Sequence, residues 1–245
     1  MKTISFACQK GGVAKTTTAT TTAALLTREG KKVVVIDLDP QRNATEIVLP
    51  EPPQHTILDV LRGRDARNTL EPSEFGFILA SDAFLSDGSI KALSDLADVI
   101  KAYSRGFDYC IIDCPPSLGK LTVSALTCSD YAVICTSALP AGYSATIATA
   151  ETVKGIQKGR SSALQIAGIL PTRVNMRTGV TRAYIDSLKT VAEGYNTVCF
   201  SPVRESVIMV ESQMMNQPVF DYASKAPITQ DYEKYFAELK ERIKA

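Results

Sequence analysis

The sequence lacks any apolar stretch near the ~20 residues that a membrane-spanning helix needs, which excludes an integral membrane protein of that kind. It also lacks a basic and then apolar leader, since it opens as MKTISFACQKGG, so we expect no signal peptide. The sequence also has no marked excess of charge of either sign: 27 Lys and Arg are balanced by 26 Asp and Glu, for a net charge of +1. This balance argues against nucleic-acid binding through bulk charge but leaves room for a local basic patch.

Histidine is nearly absent, since His55 is the only one in 245 residues. It follows the stretch PEPPQ, which predicts a loop, and neither a Ser/His/Asp site nor a zinc site can be built around it. The six cysteines show no cluster-type spacing, and we interpret them as reduced, cytosolic thiols rather than a disulfide framework. Any chemistry must therefore come from other residue types.

Apolar runs and helical patterns alternate along the chain. Largely β-branched runs predict strands at 4–7, 31–39, 109–113, 131–136, 165–170 and 197–200, and helical patterns occupy 15–30, 146–158 and 182–193. This order predicts an α/β fold: a mainly parallel twisted sheet with helices on both faces and ligands beyond the carboxyl ends of the strands. Residues 50–105, which begin at PEPP, are interpreted as a variable insertion on the same single domain, with helices near 57–61 and 90–103 and a strand near 75–79.

The segment CQKGGVAKTT, residues 8–17, lies between the first predicted strand and the first predicted helix. It is similar to a phosphate-binding loop of the pattern G-x-x-x-x-G-K-[ST]. However, Gln9 and Ala14 occupy the two positions where that pattern requires glycine. A glycine pair, Gly11 and Gly12, stands inside the loop instead. Backbone N–H groups at a strand-to-helix junction form an anion site, and glycines let the backbone approach a phosphate closely. The segment therefore predicts a phosphate site of a variant kind.

Side chains suited to nucleotide chemistry accompany this loop. Lys15 can neutralise the β- and γ-phosphates, and the hydroxyl of Thr16 can bind Mg²⁺. Asp113 ends an apolar run, where a carboxylate is placed to hold the metal, usually through water. Asp37 and Asp39, spaced by two at the end of another run, are expected to point toward one edge, one ordering the attacking water and the other holding the loop or the metal shell. Any one aspartate could merely end a strand, but the set together predicts a catalytic site.

Three segments of the chain resemble the ParA/Soj branch of the ParA–MinD superfamily: KGGVAKTT, VVVIDLDPQRNAT and FDYCIIDCPPSLG. The members of this superfamily are deviant Walker ATPases that segregate plasmids and chromosomes or position large cargo. The resemblance is detailed over 1–45 and 105–130, looser from 165 onward and weak over 50–104. It implies that a signature lysine, Lys10, reaches the partner's phosphates across an ATP-sandwich dimer, which would explain the altered loop.

The same resemblance implies a role for each matching residue. Lys10, Lys15 and Asp39 would be catalytic, with Asp39 positioning the hydrolytic water. ATP would be held by Lys10, Gly11, Gly12, Val13, Ala14, Lys15, Thr16 and Thr17, with Thr17 at the α-phosphate. Mg²⁺ would be held by Thr16, Asp39 and Asp113, the Walker B carboxylate. The family commonly has glycine where Ala14 and Arg42 stand, and it differs from this chain over TSALPAGYSAT, departures that bear on hydrolysis more than on nucleotide binding.

As a function, the resemblance implies a cytoplasmic, nucleoid-associated ATP hydrolase, slow alone and stimulated by a ParB-like centromere-binding protein or another adaptor. ATP binding would make a homodimer that binds nonspecific DNA, and hydrolysis would release it. The stretch GILPTRVNMRTGVTRAYIDSL matches in outline the family segment whose arginine binds DNA; this implies Arg177, with Arg204 as a further candidate, although both could be solvated surface arginines. Because the loop begins within the first ten residues, we expect no N-terminal helix-turn-helix domain.

Two other classes stay open. MinD-like relatives bind anionic membrane through a basic C-terminal helix, whereas DYEKYFAELKERIKA balances its charges, so we expect it to pack against the sheet. Its apolar stripe comprises Tyr232, Tyr235, Phe236, Leu239 and Ile243.

A metabolic relative would need a small substrate, or an iron–sulfur cluster as in the nitrogenase iron protein. Cys110 and Cys114 flank a buried strand, which favours small buried hydrophobes over cluster ligands.

Overall fold

The computed structural model describes residues 1–159, 163–175 and 177–244. Its sheet has seven strands, in the order β3-β4-β2-β5-β1-β6-β7. They are β1 (Lys2–Ala7), β2 (Val33–Asp37), β3 (Glu71–Ser73), β4 (Gly76–Leu79), β5 (Tyr109–Asp113), β6 (Tyr131–Ser137) and β7 (Gln165–Thr172). Every neighbouring pair is parallel except β3 with β4, at the edge. The predicted α/β class with a mainly parallel sheet is therefore confirmed.

Helices cover both faces of this sheet. The described residues form α1 (Lys15–Arg28), α2 (Asn43–Val48), α3 (Ile57–Leu61), α4 (Asp95–Tyr103), α5 (Lys120–Thr127), α6 (Pro140–Gly159), α7 (Gly179–Gly194), α8 (Val207–Met214), α9 (Val219–Tyr222) and α10 (Pro227–Ile243). One core cluster joins the sheet to α1 and α8–α10, and the other joins it to α3–α7. All five residues of β2, and all five of β5, are buried, as expected for strands covered on both sides.

The segment between residues 50 and 105 extends the main sheet. It supplies β3 and β4, and β4 pairs in parallel with β2. Its helices α3 and α4 pack on the same core cluster as α5–α7. The helix predicted at 90–103 is shorter than expected, because Asp95 accepts hydrogen bonds from the backbone N–H groups of Lys91 and Ala92 and α4 begins only at that residue.

Two predicted strands differ from the structure. The run at 31–39 ends as a strand at Asp37, since Pro40 follows and the backbone N–H of Asp39 bonds to the Asp37 side chain instead of a neighbouring strand. The run at 197–200 lies beside β7 but forms only an isolated bridge, Cys199 with Ile169, and a second isolated bridge joins Arg204, beyond the run, to Val174. Pro202 lies between those bridges and has no N–H to continue a ladder.

The C-terminal helix α10 packs against the fold as predicted. Its apolar stripe is buried, and the ring of Tyr235 meets that of Phe200 edge to face, with centroids 5.3 Å apart. Gly168 of β7 leaves space for the ring of Phe200, because a Cβ atom at residue 168 would lie 2.3 Å from that ring. None of the described helices has the length and apolar character needed to cross a membrane.

Candidate nucleotide site

The loop that carries the glycine pair joins β1 to α1 at the carboxyl end of an interior strand of the sheet. Its backbone turns left-handed at Gly12 (φ +71°) and again at Ala14 (φ +52°), so successive N–H groups can converge on one point. Among the hydrogen bonds of the described residues, none takes its donor from the backbone N–H groups of residues 11–17. The loop therefore offers a row of free donors at the N-terminus of a helix, which is an anion site.

The two positions where the family commonly has glycine share one conformation. Ala14 and Arg42, each preceding a helix as its N-cap, have φ of +52° and +58°. This left-handed region is open to glycine and unfavourable for residues with a Cβ. The chain thus keeps the backbone path that glycine would take, at some local strain.

A cavity of about 760 Å³ opens in front of the loop, within the size range of small-ligand sites. The loop and the start of α1 form its floor. Asp39 and the start of α2 stand on one side, Arg173 and Glu205 on another, and Met209 and Gln213 of α8 form a third wall. The predicted residues Gly11, Gly12, Val13, Ala14, Lys15, Thr16, Thr17 and Asp39 all line this cavity.

The two lysines of the loop point to different places. Lys15 is buried, and its ammonium donates to the backbone carbonyl of Lys10 at 3.0 Å, so its charge stays against the loop. Lys10 does not line the cavity; its ammonium donates to the hydroxyl of Ser137, at the end of β6, at 3.1 Å. Lys15 is thus poised to meet a phosphate in its own cavity, whereas Lys10 lies outside it.

Asp113 is fully buried at the end of β5, behind the loop. Neither of its carboxylate oxygens has a hydrogen-bond partner in the described part of the chain. Burial raises the pKa of Asp113 well above its usual range, and the nearby Asp37 adds to this, while Thr16 and Lys15 lower it. An unpartnered buried carboxylate beside a cavity-lining threonine fits a Mg²⁺ ion, which prefers oxygen ligands. The residues present therefore suit the metal that the sequence predicted.

Asp37 and Asp39 do not act as a pair. Asp37 is buried and already satisfied: it accepts from the N–H of Asp39 (3.0 Å) and from the N–H and hydroxyl of Thr45 (2.9 and 2.8 Å). Burial raises its pKa, although these donors oppose the shift. The expectation that both lie on the strand is wrong, because β2 ends at Asp37. Asp39 alone reaches the cavity, where its Oδ1 accepts from the N–H of Gln41 at 3.0 Å.

Several cavity contacts were not predicted from the sequence. Gln213 of α8 donates to the hydroxyl of Thr17 at 2.9 Å, and Arg173 donates to the carbonyl of Gly12 at 3.2 Å while pairing with Glu205. Arg173 follows directly after β7, and its place at the carboxyl end of a strand was a usable signal. Gln213 gave no such signal, since 196 residues separate it from Thr17.

The arginines assigned to DNA occupy different settings. Arg177 is exposed and lies just before α7. Arg204 lines the cavity, and its guanidinium donates twice to Asp231, at 2.6 and 2.8 Å. Its charge is therefore already paired, which weighs against a contact with a DNA phosphate.

The six cysteines are free thiols, and most of them lie in the core. Cys8, Cys110, Cys114 and Cys135 are buried, and burial raises the pKa of each thiol. Within the described residues, no group of three or more His, Cys, Asp or Glu side chains is placed to hold a metal ion. His55 lies in a loop, as predicted, 3.8 Å from Asp59.

A parallel sheet whose interior strand leads through a lysine-bearing phosphate loop into a helix defines a P-loop nucleoside triphosphatase. The family model described as AAA domain matches residues 1–166 of this chain. The chain belongs to that family and, within it, to the ParA/Soj branch of the ParA–MinD superfamily of ATPases.

Individual relatives match over nearly the whole chain. The sporulation initiation inhibitor protein Soj of Bacillus subtilis is 30% identical over 90% of this chain and 91% of its own. The chromosome-partitioning ATPase Soj of Treponema pallidum is 28% identical over 97% of this chain and 96% of its own. An ATP complex of a Cyanothece McdA variant superposes with a TM-score of 0.86 at 26% identity, covering 100% of this chain and 96% of that one.

Proposed function

We propose that this chain is a ParA-like partition ATPase that couples Mg·ATP binding and hydrolysis to reversible attachment of a dimer to DNA. The observation that carries the proposal is the unpartnered carboxylate of Asp113 beneath a loop of free N–H donors that faces a cavity of nucleotide size. The similarity to Soj proteins supports the same conclusion, since they are chromosome-partitioning ATPases.

The proposal assigns a role to each of the following residues in and behind the cavity. The loop N–H groups and Lys15 bind the β- and γ-phosphates, and Thr17 meets the α-phosphate. Thr16 and Asp113 hold Mg²⁺, which neutralises charge that develops on the phosphates. Asp39, near the start of α2, orients the attacking water. The reaction is phosphoryl transfer to water, and the protein contributes position and electrostatic stabilisation rather than a covalent intermediate.

The oligomer and the DNA contact follow from residues outside the cavity. Lys10 would leave Ser137 and reach the phosphates of a second copy, completing its site. Arg177, exposed beside α7, would contact DNA phosphates. A net charge of +1 is compatible with reversible DNA binding. The weak basic patches of two copies can bind one DNA together only when the copies form a dimer. A ParB-like protein or another adaptor would then stimulate hydrolysis and release the complex into the cytoplasm.

Co-sedimentation with nonspecific DNA tests this function, with ATP, ADP or no nucleotide at two salt concentrations. We expect ATP-dependent binding that weakens as salt rises, because phosphate contacts release counterions. Arg177→Ala should weaken it, whereas Arg64→Ala, an exposed arginine in the loop after α3, should not. Lys15→Ala should abolish both ATP turnover and DNA binding. A wild-type protein that binds DNA equally with every nucleotide would refute the proposal.

The membrane-cycling alternative is less well supported. The apolar stripe of α10 is buried against the sheet, so binding a membrane through it would require the helix to unpack. Anionic liposomes in a parallel sedimentation test this alternative. ATP-dependent pelleting with liposomes, but not with DNA, would favour a MinD-like role.

A further inference from the structure

Helix α8 is bonded to two sides of the nucleotide cavity. From its last turn, the side-chain amide of Gln213 donates to the hydroxyl of Thr17, in the first turn of α1, at 2.9 Å. Just past its end, the amide of Asn216 donates to carbonyls at the end of α2, those of Glu46 (2.7 Å), Ile47 (3.1 Å) and Leu49 (3.3 Å). One short helix therefore connects the floor of the cavity to the helix that stands at its side.

The position of Asn216 is set by its own backbone. Its φ of +51° lies in the left-handed region that ends helices, where glycine and asparagine are favoured. Glycine would satisfy this backbone equally well, so asparagine adds only its amide. That amide supplies two hydrogens to the end of α2, whose last carbonyls have no partners inside the helix.

The other end of α2 is tied to Asp39. Arg42, the N-cap of α2, donates from its backbone N–H to the carbonyl of Asp39 at 2.8 Å, and Gln41 donates to its side chain. α2 has only six residues, and Thr45 in its middle is bonded to Asp37, so the Asn216 contacts and this turn lie at opposite ends of one short, anchored helix. The amide of Asn216 thus bonds to the far end of the helix whose first turn is bonded to Asp39.

We propose that Gln213 and Asn216 are positioning residues that set Asp39 relative to the bound nucleotide, with α8 as the rigid link between Thr17 and α2. This inference rests on the proposed function, because it assigns the link to the water-orienting role of Asp39. It predicts that occupancy at Thr17 and the placement of Asp39 are coupled through α8.

Asn216→Gly tests the link, since glycine keeps the left-handed backbone and removes only the amide. We expect kcat for ATP hydrolysis to fall about tenfold, because a small misplacement of a positioned group is costly to the reaction. KM should stay within about twofold, since the phosphate contacts are untouched. Asn196→Gly is the matched control: Asn196 is also left-handed (φ +54°), at the end of α7, and its variant should match the wild type.

Three further measurements separate positioning from general stability. Asn216→Asp keeps the shape but turns an acceptor toward three carbonyls, so its kcat should fall below that of the glycine variant. Gln213→Leu and Asn216→Gly should be non-additive in kcat when combined, as expected for one connected unit. Hydrogen exchange at the α2 amides, measured without nucleotide, should be faster in Asn216→Gly than in the wild type and the Asn196→Gly control.

These outcomes also distinguish failure of the link from failure of the proposed function. A wild-type protein without ATPase activity would refute the function, while α2 exchange would still report whether Asn216 holds that helix. Unchanged exchange in Asn216→Gly, unchanged kcat, or an equal fall in the Asn196→Gly control would overturn the inference. A lower melting temperature of Asn216→Gly with no change in kcat would mean that Asn216 stabilises the end of α2 and does not position Asp39.

Discussion

Ala14 holds a backbone conformation that residues with a Cβ seldom adopt, with φ at +52°. That conformation costs such a residue about 1–2 kcal/mol, whereas glycine loses about 0.5–1 kcal/mol more chain entropy on folding. We therefore expect Ala14→Gly to raise the free energy of unfolding by about 0.5–1 kcal/mol, measured by urea denaturation. Ala23→Gly, in the interior of the same helix, should lower it. A loss at both positions would mean that the loop is not strained.

Asp113 combines a proposed role in Mg²⁺ binding with a charge that burial makes destabilising. Its folded-state pKa is raised by burial and by Asp37, so it lies above the unfolded value. Stability is then lost as pH rises from the ordinary aspartate pKa, about 3.9, through the raised folded pKa. Asp113→Asn cannot ionise, and its melting temperature should exceed that of the wild type by a margin that grows with pH. Mg²⁺-dependent ATP binding should be lost in the same variant.

Thermal scans across this pH range, with and without Mg·ATP, check both effects of Asp113→Asn. Wild type should gain stability from Mg·ATP, because a ligand that binds only the folded state stabilises it. The variant should gain none. A variant that is less stable than the wild type by the same amount at every pH would contradict the assigned cost of the charge.

At the scale of elements, Thr45 fastens α2 to β2 and to the loop after β4. Its hydroxyl donates to Asp37 at 2.8 Å and accepts from the N–H of Ser81 at 3.0 Å. Thr45→Val keeps the shape but leaves that N–H unsatisfied, so we expect a loss of about 1–3 kcal/mol in the free energy of unfolding. The deficit should grow with pH, since the Thr45 hydroxyl lowers the pKa of Asp37 and its loss raises that pKa further, while the backbone N–H of residue 45 still donates.

Denaturation at acidic and neutral pH measures that deficit, with Thr45→Ser as the control because it retains the hydroxyl. Serine should recover most of the lost stability. If valine were as stable as the wild type while serine was not, packing of the methyl group would be what matters, and the hydrogen bonds to Asp37 and Ser81 would not.

Some of these elements and contacts could be predicted from the sequence, and others could not. Strands β1, β2, β5, β6 and β7 were predictable because burial on both faces requires continuous apolar runs. The end of β2 was not, since the bond from the Asp39 N–H to Asp37 depends on side-chain geometry that spacing does not encode. The loop lysine and Asp113 were predictable from local pattern, whereas the contact of Gln213 with Thr17 exists only once distant segments have packed.

At the scale of the whole molecule, the proposed function makes ATP-dependent dimerisation depend on Lys10. In the monomer its ammonium bonds to Ser137, and by the proposed function it must leave to reach a second copy. We expect Lys10→Ala to bind ATP as a monomer but to form no ATP-dependent dimer in sedimentation velocity. Ser137→Ala, which removes the competing acceptor, should dimerise at least as well as the wild type. A stable ATP dimer of Lys10→Ala would refute the cross-subunit role.

The strand order also determines when, during synthesis, the molecule can begin to work. β1 is made first, yet its two neighbours are β5 and β6, and the second of these ends at Ser137. Until that residue leaves the ribosome, at least one edge of β1 stays bare, and bare apolar edges invite association with other chains. Among the strands of the sheet, the one that leads into the proposed ATP loop is thus translated first but is paired on both edges only after β6 has been made, so a nascent chain cut short before β6 would carry the motif without the site.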